Sequence, residues 1–278
     1  MCREIKEKEK VVNLLFMSAG VIDLSKTREL SSSQGSGLRL KYKLLMKWKG
    51  TDEKLDLTLA LTIYSRTRFI VNLLPLLKAA EGLRRVVTVF AGTKEGPLLK
   101  DDLGCADVSL LNIRNIRGHM CSMIDLILEE IAREAPGVSF IHDYPGFVDT
   151  GIFDKTEGVL AKVLRGWGKV TDVLVRSKKE RYIPIEECGE RHLFLATSAR
   201  FEPADGGECG VPCDERARGS RGEVGGGVYV VDENLESAGT DVELLLKGMR
   251  RDGMGELVWK HVQDEFERIA KLNGDRNA

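Results

Sequence analysis

Three short apolar runs, each followed by small or turn-forming residues and separated by stretches of helical periodicity, constrain this chain more than any other feature. The first is Val11-Val12-Asn13-Leu14-Leu15-Phe16-Met17, closed by Ser18-Ala19-Gly20. The second is Arg84-Arg85-Val86-Val87-Thr88-Val89-Phe90, closed by Ala91-Gly92, and the third is Val138-Ser139-Phe140-Ile141-His142, leading to Tyr144-Pro145-Gly146. Continuous apolar runs of this kind, without polar alternation, suit parallel strands buried on both faces. Between the first two, Leu55, Leu59, Thr62, Ile63, Phe69, Ile70, Leu73, Leu74 and Leu77 recur at three- and four-residue spacing, and Pro75 predicts a kink or break near Leu74. Between the second and third, Met120, Met123, Ile124, Ile127, Leu128 and Ile131 form one stripe of a helix from about Ile113 to Ala135, stopped by Pro136-Gly137. This alternation predicts an α/β fold, a doubly wound parallel sheet with the strands at 11–17, 84–90 and 138–142 adjacent and parallel. Further on, the pattern predicts helices at 159–175 and 186–198, a strand at 227–231 and a closing amphipathic helix at 256–272.

A chain of 278 residues that is 42% hydrophobic has enough apolar material for one sizeable core, so 1–278 is expected to form a single domain. Lys and Arg total 42 against 43 for Asp and Glu, and this balance argues against a nucleic-acid partner. No apolar run approaches the ~18 residues that would cross a bilayer, and the charged residues 1–10 do not read as a secretory signal. The expected setting is cytoplasmic, without membrane attachment. Six cysteines in so long a chain point to reduced thiols rather than a disulfide framework. Residues 31–50 (SSSQGSGLRLKYKLLMKWKG) shift abruptly to Ser/Gly and then Lys, and read as an inserted segment. Lys41, Lys43, Lys47 and Lys49, with Tyr42 and Trp48, read as a solvated run rather than a binding patch.

Several of these segments together resemble a known family. Leu14 to Gly20 lies where short-chain dehydrogenases/reductases place the strand ending in Asn-Asn-Ala-Gly, and Arg85 to Gly92 matches their next strand. Val138 to Thr150, containing Pro145-Gly146-Phe147-Val148-Asp149-Thr150, is similar to their Pro-Gly-x-Val-x-Thr segment. Tyr64-Ser65-Arg66-Thr67-Arg68-Phe69-Ile70 and Gly189-Glu190-Arg191-His192-Leu193-Phe194-Leu195-Ala196-Thr197 look like a divergent branch from fungal secondary-metabolism clusters. The resemblance covers most of 11–28, 51–150 and 186–270. It implies a Rossmann-like fold and an NAD- or NADP-dependent oxidoreductase. Its small-molecule substrate would be a carbonyl or alcohol of a secondary metabolite, and homo-oligomerisation stays open.

The family's phosphate-binding turn follows its first strand, and this chain begins too late to contain it, so the first βαβ unit is expected to be missing. Gly219-Ser220-Arg221-Gly222-Glu223-Val224-Gly225 is not a substitute, because it should lead into a strand rather than a helix. The family's Tyr-x-x-x-Lys pair polarises the substrate carbonyl, the Lys lowering the phenol's pKa. Those positions fall near Ile113 and Arg117, while Ala91 lies near the serine position, with Thr93 the nearest hydroxyl. Tyr64-x-x-x-Arg68 has the letters of the motif but sits one helix too early. What the resemblance carries over is therefore Gly20 and Arg117 against the ribose, Thr150 against the nicotinamide, and Thr93 as the one candidate for a catalytic hydroxyl. Gly20 as a turn glycine and Thr150 as a helix cap stand beside that reading.

Two alternatives remain open from the residues. Cys188-x-x-x-His192 and Cys209-x-x-x-Cys213 offer four soft ligands for a structural zinc, although zinc ribbons and fingers favour shorter cysteine gaps. A non-catalytic or truncated product is the other alternative. The insertion reading is checked by hydrogen exchange: residues 31–50 should be among the least protected in the chain, and strong protection there would overturn it.

Overall fold

The computed structural model describes residues 1–20, 50–105, 113–148, 183–207 and 209–276. Four strands, β1 (Leu14–Met17), β2 (Arg85–Val89), β3 (Ser139–Asp143) and β4 (Val228–Val231), pair in that order. All three pairings are parallel, with Leu14 beside Arg85, Arg85 beside Ser139 and Phe140 beside Val228. The helices are α1 (Cys2–Lys8), α2 (Leu57–Leu59), a π turn (Ala60–Tyr64), α3 (Ser65–Ala79), α4 (Ile113–Glu134), α5 (Ile185–Thr197), α6 (Thr240–Arg251) and α7 (Met254–Arg276).

Strand side chains alternate between faces, and the two cores follow that alternation. Leu15, Met17, Val86, Phe140, Val228 and Val230 pack with Leu77 of α3, Met123 and Ile127 of α4, Leu246 of α6 and Val258 of α7. Phe16, Val87, Val89, Ile141, Tyr229 and Val231 face the other way, onto Leu195 of α5 and onto Phe201. A parallel sheet covered on both faces is the Rossmann-like α/β arrangement expected above.

The expected break near Leu74 does not occur, since α3 runs through Pro75 to Ala79. Leu73, Leu74 and Leu77 are buried around the proline, so packing outweighs the one lost backbone bond. The irregular turn lies earlier, at Ala60–Tyr64, where the Thr62 and Ser65 hydroxyls donate back to the Thr58 (2.6 Å) and Leu61 (2.9 Å) carbonyls. Helix α6 adds to the elements expected from the sequence; its Val242, Leu246 and Met249 bury one face at helical spacing. Tyr64 bonds His261 of α7 (2.8 Å) and Arg68 lies over the Phe266 ring, so this Tyr/Arg pair fastens two helices together. The segment 31–50 falls in its first nineteen residues, and the helix at 159–175 entirely, outside the described residues.

Arg85 opens β2 and is fully buried on the α5 face. Its guanidinium donates to the carbonyls of Leu195 (2.9 Å), Ser198 (2.8 Å), Phe201 (2.6 Å) and Cys209 (3.4 Å). Leu195 and Ser198 lie at the C-terminal end of α5, where free carbonyls and the helix dipole favour a cation. Burial pulls the guanidinium's pKa down from its ordinary value, yet these carbonyls supply the acceptors a buried charge requires. Replacing Arg85 with Met keeps the apolar bulk and strands the carbonyls. Urea unfolding should show a loss of about 3 kcal/mol or more; a loss below about 1 kcal/mol would show that the carbonyls find other partners.

Candidate functional site

The carboxyl ends of β1, β2 and β3 lie side by side, which is where parallel α/β sheets bind ligands. Arg66 of α3 ties two of these ends together on the α3 face. It donates to the Ala19 carbonyl beyond β1 (2.7 Å) and to the Val89 carbonyl (2.8 Å) and Thr88 hydroxyl (2.7 Å) of β2. Burial brings its pKa down to about 10, so it stays charged at neutral pH. Just past β2, a Cβ on Gly92 would lie 2.6 Å from the His142 carbonyl oxygen and 2.8 Å from that of Val231. Only glycine lets the chain leave β2 so close to the ends of β3 and β4.

The residues singled out from the sequence fall into this region unequally. Gly20 is exposed, and a Cβ there would meet nothing within 4 Å among the described residues, so none of their packing contacts requires glycine. Arg117 is exposed on α4, one turn before Cys121, whose thiol donates to the Ala91 carbonyl (3.1 Å). Thr93 has φ 69°, a conformation uncommon for a β-branched residue, and its buried hydroxyl has no hydrogen-bond partner among the described residues. Its N–H donates to Glu95 (3.1 Å), and the neighbouring Lys94 ammonium lies 4.8 Å from the Tyr144 ring centroid. Thr150 lies outside the described residues. The loop containing Gly219 to Gly225 precedes β4, as expected of glycines without a phosphate-binding role.

Neighbouring polar residues of β3 open onto opposite faces. His142 faces α4: its Nδ1–H donates to the Asp125 carboxylate (2.7 Å), and its Nε2 accepts the Ala91 N–H (3.3 Å). Burial brings the His142 pKa down to about 4, so the ring is neutral. Glu95 lies 3.9 Å from the same Nδ1, and burial, then the nearby Asp125, push its pKa up to about 8. Burial raises Asp125 as well. Two carboxyl groups side by side in the interior hold a proton at neutral pH, because both cannot ionise there. These three side chains could in principle ligate a metal. The 2.7 Å N···O contact is instead that of a hydrogen bond, since ligands of a tetrahedral zinc stand about 3.4 Å apart. The cluster anchors the loop that carries Thr93. Sequence spacing missed it because Asp125 and Glu95 reach His142 through tertiary contact, though an Asp within the apolar stripe of α4 was a visible signal.

On the other face Asp143 accepts from His192 of α5 (2.9 Å), and the second ring nitrogen of His192 lies 3.6 Å from the Cys188 sulfur. Cys209 is buried against the Phe201 carbonyl and Arg85. The two pairs weighed as zinc ligands therefore do not meet among the described residues, where Glu95, Asp125 and His142 form the one group of three or more ligand atoms. The zinc alternative is corrected accordingly: helical spacing put His192 beside Cys188, but β3 supplied its other partner. All six cysteines are free.

The buried carboxyl on the α4 face makes stability depend on pH. Between pH 4.5 and about 8 the folded protein holds a proton on Glu95 that the unfolded chain has released, so stability falls as pH rises. His142 acts in the opposite direction between about 4 and 6.5, where only the unfolded chain binds its proton. The two offset each other below pH 6.5, leaving the carboxyl alone above it. Unfolding free energy should drop by about 1–2 kcal/mol between pH 6.5 and 8, and Glu95→Gln should flatten that decline. An unchanged slope in the variant would place the titrating group elsewhere.

No family model matches the chain. Among curated proteins it is 34% identical to an oxidoreductase of Emericella nidulans over 267 residues, covering 94% of this chain and 70% of that protein. It is 30% identical to an NmrA-like family domain-containing oxidoreductase of an Aspergillus species, covering 99% of this chain and 70% of that protein. It is 29% identical to a short-chain dehydrogenase/reductase of Stachybotrys chartarum, covering 80% of this chain and 62% of that protein. With its parallel Rossmann-like sheet, the chain belongs to the short-chain dehydrogenase/reductase family, among its fungal oxidoreductases.

Proposed function

We propose that this chain is an NAD- or NADP-dependent oxidoreductase acting on a carbonyl or alcohol of a secondary metabolite. The observation that carries the reading is the strained Thr93 hydroxyl just past the end of β2, buried and without a hydrogen-bond partner among the described residues. A buried hydroxyl without a partner is costly unless a ligand completes it, so Thr93 would donate to the substrate oxygen. Gly20 leaves space for a ribose to approach the backbone, and exposed Arg117 offers charge and donors to its hydroxyls. Thr150 would hold the nicotinamide amide. A bound nicotinamide would supply hydride to a carbonyl or accept it from an alcohol; the protein's own residues would bind, orient and polarise.

Contacts from these residues alone are modest, each worth on the order of 1 kcal/mol. Among the described residues no Gly-rich turn leads from a strand into a helix N-terminus to hold a pyrophosphate. Fluorescence titration should therefore find NADPH or NADH bound in the millimolar range, about −4 kcal/mol, and Arg117→Ala should weaken it several-fold. Absence of binding even at tens of millimolar cofactor would remove the reading. Saturation at micromolar cofactor would show that other residues of this chain hold the phosphates.

A further inference from the structure

The Cys188, His192 and Asp143 arrangement is not needed for the reading above and stands on separate geometry. Cys188 and His192 are four residues apart on α5 and so share a face. The imidazole touches the thiol with Nδ1 (3.6 Å) and the Asp143 carboxylate with Nε2 (2.9 Å). Asp143 is buried and ends β3, while the Phe16 ring of β1 meets the imidazole edge-on with centroids 5.3 Å apart. Sheet and helix thus hold a thiol, a base and the carboxylate that orients the base in the order used by activated nucleophiles.

We propose that Cys188 is a covalent-attachment site for an uncharged α,β-unsaturated carbonyl compound, with His192 as its base and Asp143 as the positioning residue. The thiol proton passes to Nδ1 of His192 as the sulfur bonds to the β-carbon. The alkene electron pair moves onto the carbonyl as an enolate, and the imidazolium returns the proton to the α-carbon. The product is a thioether, with no leaving group, oxidant or reductant. Burial holds the Cys188 thiol above its ordinary pKa, which is why the base is required.

The surroundings favour an apolar electrophile. Ile185, one turn before Cys188 on the same side of α5, is 58% exposed. Phe147, whose carbonyl accepts the Ile183 N–H, is 54% exposed. Among the described residues, the cation that acts on the Cys188 thiol is Arg191, which is already engaged by Glu187 and the Glu233 carbonyl and so is spent as an anion receptor.

The test uses the whole chain and N-ethylmaleimide below stoichiometry, with peptide mass mapping of all six cysteines from about pH 5 to about 9. Cys188 should be labelled first, well ahead of the partly exposed Cys2 and Cys213. His192→Gln should slow Cys188 on the order of a hundred-fold and return its pH profile to that of an ordinary thiol, with Cys213 unchanged. Asp143→Asn should slow it less. Misfolding in either variant would be recognised by labelling of buried Cys105 and Cys121. In that case the wild-type order of labelling and its pH profile decide between the outcomes. Labelling of Cys188 no faster than Cys213, or a rate indifferent to His192 in a folded variant, would overturn the proposal. So would faster capture by oxidised glutathione than by the maleimide, which would replace the apolar electrophile with a disulfide.

Discussion

Strand β2 is held at both ends by buried guanidinium groups, and the candidate site depends on that clamp. At its start Arg85 reaches across one face to four carbonyls around the end of α5. At its finish Arg66 reaches from α3, on the other face, to the exits of β1 and β2. All of these acceptors are uncharged. Each guanidinium is compensated by carbonyl and hydroxyl dipoles, which cost less desolvation than a buried ion pair and fix direction as well as distance. The first sets where α5 lies, and hence where Cys188 and His192 stand. The second fixes the spacing between the strand ends at which Gly20 and Thr93 emerge.

Strand β3 applies the two-residue period of a pleated strand to chemistry. His142 and Asp143 are adjacent in sequence, yet the pleat sends one to α4 and the other to α5. The α4 side is closed, its ring neutral and its two carboxyl groups buried close together. The α5 side is half-open, with His192 partly exposed and a thiol beside it. The same residue types give a structural anchor on one face and a reactive constellation on the other. Burial makes the difference, because a low-dielectric setting removes the charge that chemistry would use.

Strand and helix order was legible from the chain alone because apolar periodicity is a local property. The three leading strands, the long α4, the later strand and the closing helix all come from spacing that can be counted along the chain, and the family resemblance rests on the same segments. Pro75 shows the limit of local rules: its helix-breaking tendency lost to the buried leucines around it. Helix α6 was written in Val242, Leu246 and Met249 but masked by the charges between them.

What only the tertiary structure decided is which polar residues meet. Arg66 and Thr88 are 22 residues apart, His142 and Asp125 17, and His192 and Asp143 49. No spacing rule reaches across such intervals, because packing of helices onto the sheet sets those distances. The sequence by itself determined a parallel α/β sheet and the small residues at its strand ends, since periodicity and steric freedom act within a few residues. Folding alone turned the Cys188 and His192 pair from half of a zinc set into part of a Cys–His–Asp constellation, because the third partner comes from the end of a distant strand.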